Sequence, residues 1–416
     1  MAAVAVFAML QAKDWSRKSE KKLMQRSVWG QLTGRVNTTG PLNNEVMKIP
    51  NSVVAERSKE FESGVYSVTV PWKGKISTMG RGGRETLEGN EATIPMRYKN
   101  IFWNNQRHAV ALEDESVEGS LARFYQVGSE KVELLEDYFA ELDDYNYSRA
   151  LLEGGDEYLT ESRYWANTSL STPVTVAYHP VWMVNGEAAA ETWSATYATY
   201  ETAIDDAIDG GTTGNNFDLA AADSIAFQAH RRLSPLKGGY QYVAVISDIQ
   251  ASQLTTGTSN AWLSKFESAG QRAMDNKSIT GAIGVYKDVL YVVASRQPVW
   301  NLANSSASKI VYAKPDTDDN TATGNAIVTR VTKGSADAGT GTAEIAMVMG
   351  VNAIGKAKIQ GIKYTDKKFD YDFTDGFAAH RKEGLQRMDF WTSSTSTQPV
   401  CNGSFIYTTN TPSLTN

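Results

Sequence analysis

The chain has 416 residues, with 41 Lys and Arg against 47 Asp and Glu, a formal charge of −6 at neutral pH. That length provides for two to three domains and a large core, and the acidic balance excludes a protein whose whole surface grips nucleic acid. Cys401 is the single cysteine, so the chain forms no intrachain disulfide and no cysteine zinc cluster, and its stability has to come from packing and from neighbouring subunits.

Residues 2–10 are an apolar run of nine, too short to span a membrane and without the preceding basic residues of a secretory signal. They read as an arm that packs on a partner. Residues 13–32 predict an amphipathic helix with Trp15, Leu23, Val28 and Trp29 as apolar contacts. Its first part, 13–26, has six basic and two acidic residues, a net of +4, and contains Lys21 and Lys22. Residues 36–62 read as an extended connector broken by Thr-Thr-Gly-Pro and Ile-Pro-Asn.

Residues 65–75 alternate like a strand, Gly80, Gly82 and Gly83 form a loop tip, and 93–112 return as strand. The loop is too long for a tight hairpin, so this is a long β-arm. A two-stranded arm cannot bury its own faces in isolation, which predicts that 73–99 lies over a neighbouring subunit. Its tip carries Arg81, Arg84, Glu85, Glu88 and Glu91, suited to reciprocal ion pairs, and Arg107 sits near the end of the returning strand. These residues, with Lys21 and Lys22, are the candidate inter-subunit contacts.

Residues 118–154 predict the longest helix, roughly 50 Å at 1.5 Å per residue, with Leu121, Phe124, Val132, Leu135, Phe139 and Leu142 recurring at three and four residues. Gly128 marks a possible kink and Gly154-Gly155 the end. Between Glu130 and Glu157 stand ten acidic and two basic residues, a net of −8. This acidic helix is expected to border the interior of an assembly or the basic arm of a neighbour. Residues 158–216, rich in Thr, Ala and aromatics, read as an insertion or lobe edge. From Phe217 the pattern is α/β: helix 218–233, buried strand 240–247, a helix capped by Asp248, helix 261–274, and two strands in 281–295 around Tyr286-Lys287-Asp288. Residues 316–341 read as a polar loop with a short strand at 326–331. Then come strand and helix over 344–358, closing strands at 368–377 and 384–391, and a Ser/Thr/Asn-rich tail, 392–416, with no core of its own.

Enzyme motifs fail on inspection. Gly350 to Ala357 nearly forms a phosphate-cradling loop, but Ala357 stands where a Ser or Thr would ligate magnesium. Lys356 is therefore expected to meet solvent or a carboxylate near a helix start, with its removal leaving assembly nearly intact. His108, His179, His230 and His380 have no zinc spacing. Residues 316–327 begin like a calcium loop but have Thr321 and Ile327 at the sixth and twelfth positions. No cofactor or metal is expected, and the chain reads as no enzyme; the alternatives are a nucleotide-binding enzyme using 350–357 and a carbohydrate-binding surface protein using the aromatic 158–216.

Four landmarks, LEGNE at 87–91, QRHAV at 106–110, GAIGVYKDVLYVV at 281–293 and MVMGVNAIGKA at 347–357, resemble the major capsid proteins of tailed bacteriophages. The resemblance implies an α+β fold of the Hong Kong 97 type. It places an N-terminal arm at 1–60, the extended E-loop at 61–112, and a peripheral domain with its spine helix at 113–157. The insertion is 158–215, the axial domain 216–364, the return to the peripheral domain 365–391, and the tail 392–416. It implies hexamers and pentamers self-assembling in the host cytoplasm into an icosahedral virion capsid. Implied partners are scaffolding, portal and decoration proteins and, without sequence specificity, packaged double-stranded DNA; no membrane is involved.

Overall fold

The computed structural model describes residues 27–39, 46–48, 51–58, 67–73, 96–113, 127–155, 181–184, 187–188, 217–256, 282–294, 297–301, 310–311, 342–369, 374–391, 399–401 and 403–410. In chain order, the first main elements are α1 (Val28–Gln31), β1 (Thr33–Arg35), β2 (Val54–Ser58), β3 (Ser67–Lys73), β4 (Met96–Phe102), β5 (Asn104–Glu113) and α2 (Val127–Glu153). They are followed by α3 (Leu219–Arg232), β6 (Tyr242–Ile246), α4 (Asp248–Thr256), β7 (Ala282–Tyr286), β8 (Val289–Val293), β9 (Thr342–Met349), β10 (Ile354–Phe369), β11 (Thr374–Arg387) and β12 (Ser404–Asn410).

A five-stranded sheet has the order β1-β2-β10-β11-β5 and is dominated by the long antiparallel hairpin β10–β11. Both its faces are covered. On one lies α2, about 40 Å long at 1.5 Å per residue, which packs Leu135, Phe139, Leu142 and Tyr145 on Ile362 and Ala379. On the other lie β3 and β4, the base of the predicted arm, whose Val68, Val70 and Ile101 pack with Ala55, Ala357 and Met388. Two polar bonds pin that base: Lys99 Nζ donates to the Arg387 carbonyl at 2.6 Å, and Arg57 to the Thr69 carbonyl at 2.5 Å. The arm tip, 74–95, lies outside the described residues.

A nine-stranded sheet runs β7-β8-β6-β9-β12 and continues through the short strands Val181–Val184 and Glu187–Ala188. Val299–Asn301 pairs with the first residues of β9, beyond the stretch that pairs with β6, and with Ile310–Val311. Its central strands are apolar on both faces, as β6 (YVAVI) shows by burying all five residues. One face is covered by α3, through Ala222, Ile225, Ala226 and Ala229. The other joins α1, β2 and the end of α2 in a core holding Trp29, Val54, Leu151, Val243, Val292 and Met347. That shared core ties the two sheets together.

Local signals placed several elements as read. The Asp218 carboxylate accepts from the Ala221 amide at 2.9 Å and caps α3. Lys287 and Asp288 both take positive φ, 44° and 67°, in the two-residue turn joining β7 to β8. Gly154, at φ 91°, ends α2, and Gly128 introduces no break in it.

Five readings are corrected. The expected helix 13–32 is interrupted, because Ser27 is extended (ψ 132°) and caps the short α1. The cap of α4 is Ser247, not Asp248. Ser247 Oγ accepts from the Gln250 amide and Gln250 Oε1 from the Ser247 amide, both at 3.2 Å, a reciprocal capping box. Residues 350–358 form no helix: a turn at 350–353 leads into β10, so the chain changes sheets there, and a boundary at 364/365 would cut one continuous strand. The expected closing strands 368–377 and 384–391 are the ends of the β10–β11 hairpin with the short strand Asp389–Trp391. Finally, 392–416 is no coreless tail, since β12 pairs with β9 along its whole length and buries Phe405, Ile406 and Tyr407. The expected helix 261–274, the loop 316–341 and most of 158–216 lie outside the described residues.

Gly384 sets the spacing between hairpin and arm base, because a Cβ there would collide with the Phe102 carbonyl of β4. Gly384→Ala should lower unfolding free energy by about 1–3 kcal/mol, the usual cost of overpacking. It should also speed amide exchange in 96–102; unchanged exchange would show that β4 is not seated on β11.

Candidate functional site

Strand alternation in β11 sends Phe377, Ala379, Arg381, Glu383 and Leu385 toward α2. Phe377, Ala379 and Leu385 are apolar; Arg381 and Glu383 are not, and both are buried. Asp143 of α2 and Lys356 of β10 complete a cluster of two cations and two anions. Arg381 donates to Asp143 at 2.5 Å and lies 2.9 Å from Glu383, and Lys356 Nζ lies 3.2 Å from Glu383. Gln106 of β5 accepts from Arg381 Nε at 2.7 Å. Aromatic faces complete the surround, with the Arg381 guanidinium 4.8 Å from the Phe139 ring centre and the Lys356 ammonium 5.6 Å from that of Tyr147. A cavity of about 40 Å³, edged also by Glu56, Gln360 and Ser27, opens beside them, large enough for a water.

The electrostatics follow from enclosure. Burial alone would raise the Glu383 pKa, but Arg381 and Lys356 outweigh it and bring it from 4.5 to about 2. For Asp143 burial outweighs the pull of Arg381, and its pKa stands above the usual carboxylate value. Burial likewise opposes the charge of Lys356, yet Glu383 and its other neighbours drive its pKa well above the ordinary lysine value. The group is a structural staple: four charges excluded from water, each needing the others.

Arg387, four residues on, is also buried and donates to the Leu151 carbonyl at 2.5 Å. It satisfies one of the terminal carbonyls of α2 that have no partner within the helix. The hairpin therefore holds α2 at mid-length through Asp143 and at its end through Leu151.

The β11 face turned from α2 is basic. In register across the sheet, His380 stands opposite Arg107 of β5 and Lys363 of β10. Lys382 follows two residues on, its ammonium 5.5 Å from the Trp103 ring centre. Partial burial, together with Lys363, Lys382 and Arg107, lowers the His380 pKa. Among the described strands β5 stands at the edge of the sheet. Arg107, exposed here, is the one predicted contact residue within the described set. Lys21, Lys22, Arg81, Arg84, Glu85, Glu88 and Glu91 lie outside it. The sequence reading missed Lys363 and Lys382, and it missed the Asp143–Arg381–Glu383–Lys356 cluster. Its signal was present, since two charged residues occupy the same parity as three apolar ones in β11.

The near phosphate loop is no phosphate site. Its amides are already used: Gly350 N donates to Gly403 O at 2.8 Å, Val351 N to Ser234 O at 3.0 Å and Asn352 N to Ser52 O at 2.8 Å. Lys356 lies in a strand and faces Glu383. Among the described residues no three metal-ligating side chains converge, and no helix is long and apolar enough to cross a membrane.

No protein-family model and no curated protein matches the sequence. Solved structures do match in fold. The chain superposes on the acidic stable capsid of Helicobacter pylori bacteriophage KHP30 with a TM-score of 0.54 and 11% identity, covering 92% of this chain and 91% of that one. For the head structure of H. pylori bacteriophage KHP40 the values are 0.53, 12%, 93% and 91%. For the capsid of Ralstonia phage GP4 they are 0.52, 14%, 88% and 89%. At these identities the likeness is one of fold, and the fold is mixed α and β.

Lys356→Ala would leave Glu383 and Asp143 buried with Arg381 alone. The change should therefore cost about 3–5 kcal/mol, read by urea unfolding. The pH dependence has a definite sign. Glu383 has a depressed folded pKa, so its contribution is fully present above 4.5 and is lost as pH falls toward about 2. Glu383→Gln should flatten unfolding free energy across that window; an unchanged slope would remove Glu383 from the staple.

Proposed function

We propose that the chain is the major capsid protein of a tailed bacteriophage, with a Hong Kong 97-type fold. In this reading it assembles as hexamers and pentamers into an icosahedral head enclosing double-stranded DNA. The observation that carries the proposal is the superposition on phage capsid chains over about nine-tenths of both partners. A fragment or a single shared motif would not give reciprocal coverage of that extent. The sequence landmarks resemble the same class independently of the superposition.

The architecture supports a structural role. The arm base is fastened to the sheet face opposite α2, and 22 residues separate the end of β3 at Lys73 from the start of β4 at Met96. The intervening tip carries Arg81, Arg84, Glu85, Glu88 and Glu91. Its acidic elbow is complementary to the basic face formed by Arg107, Lys363 and Lys382, and we assign that face, on a neighbouring copy, as the elbow's seat. The segment holding Lys21 and Lys22 leads into Ser27 beside α2 and contributes to subunit contacts from there. Scaffolding, portal and decoration proteins belong to the proposal as assembly partners. Catalysis at 350–357 is not part of it, because the amides and the lysine are engaged within the fold.

Deleting residues 81–91 should yield a soluble, folded subunit that sediments without forming shells. Arg107→Glu combined with Lys382→Glu should reduce assembly, most at low ionic strength, where screening is weakest. Shells of normal yield from both variants would contradict the arm-to-neighbour contact.

A further inference from the structure

A row of basic side chains crosses the five-stranded sheet on the face turned from α2. His380 of β11 pairs with Arg107 of β5 on one side and with Lys363 of β10 on the other. Directly opposed residues of neighbouring strands project to the same face, with Cβ atoms about 4.5–5.5 Å apart. The row Lys363–His380–Arg107 is therefore about 10 Å wide, and its two outer side chains are long enough to reach over the imidazole. Arg107 and Lys363 are exposed, and His380 is half-buried.

An extra residue in β10 creates this row. Gln360 pairs with Lys382, and the register then shifts so that Lys363, not Ile362, pairs with His380. Regular pairing would set Ile362 against the histidine. The bulge instead leaves Ile362 in the core under α2, with Leu135 and Phe139, and brings a lysine into line with His380. Bulges re-aim side chains in this way and are enriched beside functional sites. The result is costly by itself, since like charges directly opposed across strands destabilise a sheet. The charges that reach His380 from the described residues are all positive: Lys363 of β10, Lys382 of β11 and Arg107 of β5. Lys382 is held to one side, its ammonium 5.5 Å from the Trp103 ring centre. Partial burial and these three cations hold the His380 pKa below the ordinary histidine value, so the ring is uncharged at neutral pH.

We propose that Lys363, His380 and Arg107 form a site for one oxyanion, with the imidazole as its central donor and the two outer cations closing over it. An oxyanion there offsets the like-charge cost of the row. It also favours the protonated ring, which donates from both nitrogens, so anion and proton bind together. The site deepens the seat assigned above and rests on that reading only for its natural occupant, a carboxylate of a neighbouring copy. Carboxylate, sulfate and phosphate groups share the chemistry it recognises. His108 is no part of it, since strand alternation puts that ring on the other face, stacked on Tyr138 at 4.0 Å.

Histidine-selective NMR of the full chain as unassembled subunits tests the site. Sulfate is the probe, because it keeps its double charge throughout the histidine range. Each ring is titrated in sodium sulfate and in sodium chloride of equal ionic strength, which separates binding from screening. Relative to chloride, sulfate should raise the His380 midpoint by about 1 pH unit, a roughly tenfold preference for the protonated ring. His108 and His230 should stay in place. Lys363→Gln with Arg107→Gln should cut the rise several-fold, and His380→Gln should make sulfate affinity independent of pH over the same range. Equal His380 midpoints in the two salts, or equal rises at all three rings, would overturn the site. Shell yield should rise as pH falls through the His380 midpoint in the wild type but not in His380→Gln. A sulfate-responsive subunit whose shell yield ignores His380 would keep the site and remove the neighbour's carboxylate as its occupant.

Discussion

The β10–β11 hairpin holds α2 in one register, because the contact between them contains buried charge as well as apolar packing. An apolar contact tolerates sliding; a set of four charges does not. If α2 slipped by a turn, or β11 by a residue, Asp143 and Glu383 would be left without cations in a medium that strongly disfavours isolated charge. Buried ion pairs add little net stability over well-packed hydrophobic residues. What this cluster contributes is position. It fixes Asp143 against Arg381, Arg387 against the end of the helix, and thereby the face of α2 left outward.

The same hairpin, fixed on one side, becomes a platform on the other. Its opposite face holds the arm base through Ile101, Val68 and Val70, while glycine at 384 permits β4 to approach closely. Farther along that face the cover gives way to Arg107, Lys363, His380 and Lys382. One hairpin therefore separates an internal charged contact from an external charged surface. The alternation of a strand makes that separation possible, since neighbouring residues serve opposite faces. The core shared with the nine-stranded sheet extends the rigidity to the rest of the described fold, and Trp29, Leu151 and Met347 belong to it.

Much of this was legible in the sequence where local chemistry decides structure. The run from 218 to 233 read as the helix that became α3, and a polar Lys287-Asp288 pair between apolar segments gave a hairpin. The reading failed where tertiary context decides. Residues 354–358 mix Ala, Lys, Ile and Gly and read as helix, but they become strand because β2 and β11 pair with them on either side. The Ser/Thr/Asn content around 404–410 resembles a loop, yet Phe405, Ile406 and Tyr407 fill the sheet beside β9. Charged residues are ordinarily read as solvent-facing, so Arg381, Glu383, Asp143 and Lys356 escaped notice as a group. They come from three elements far apart in the chain, and no spacing rule joins them. Of the candidate contact residues, Arg107 had the clearest context, an alternating strand beside other cations.

Electron cryomicroscopy of the assembled wild-type protein tests the central claim most directly. The account predicts closed shells in which residues 74–95 of one copy lie over the Arg107–Lys363–Lys382 face of the next, while the Asp143–Arg381–Glu383–Lys356 cluster stays within each subunit. Monomers at all concentrations, or shells in which each arm folds back on its own subunit, would contradict it.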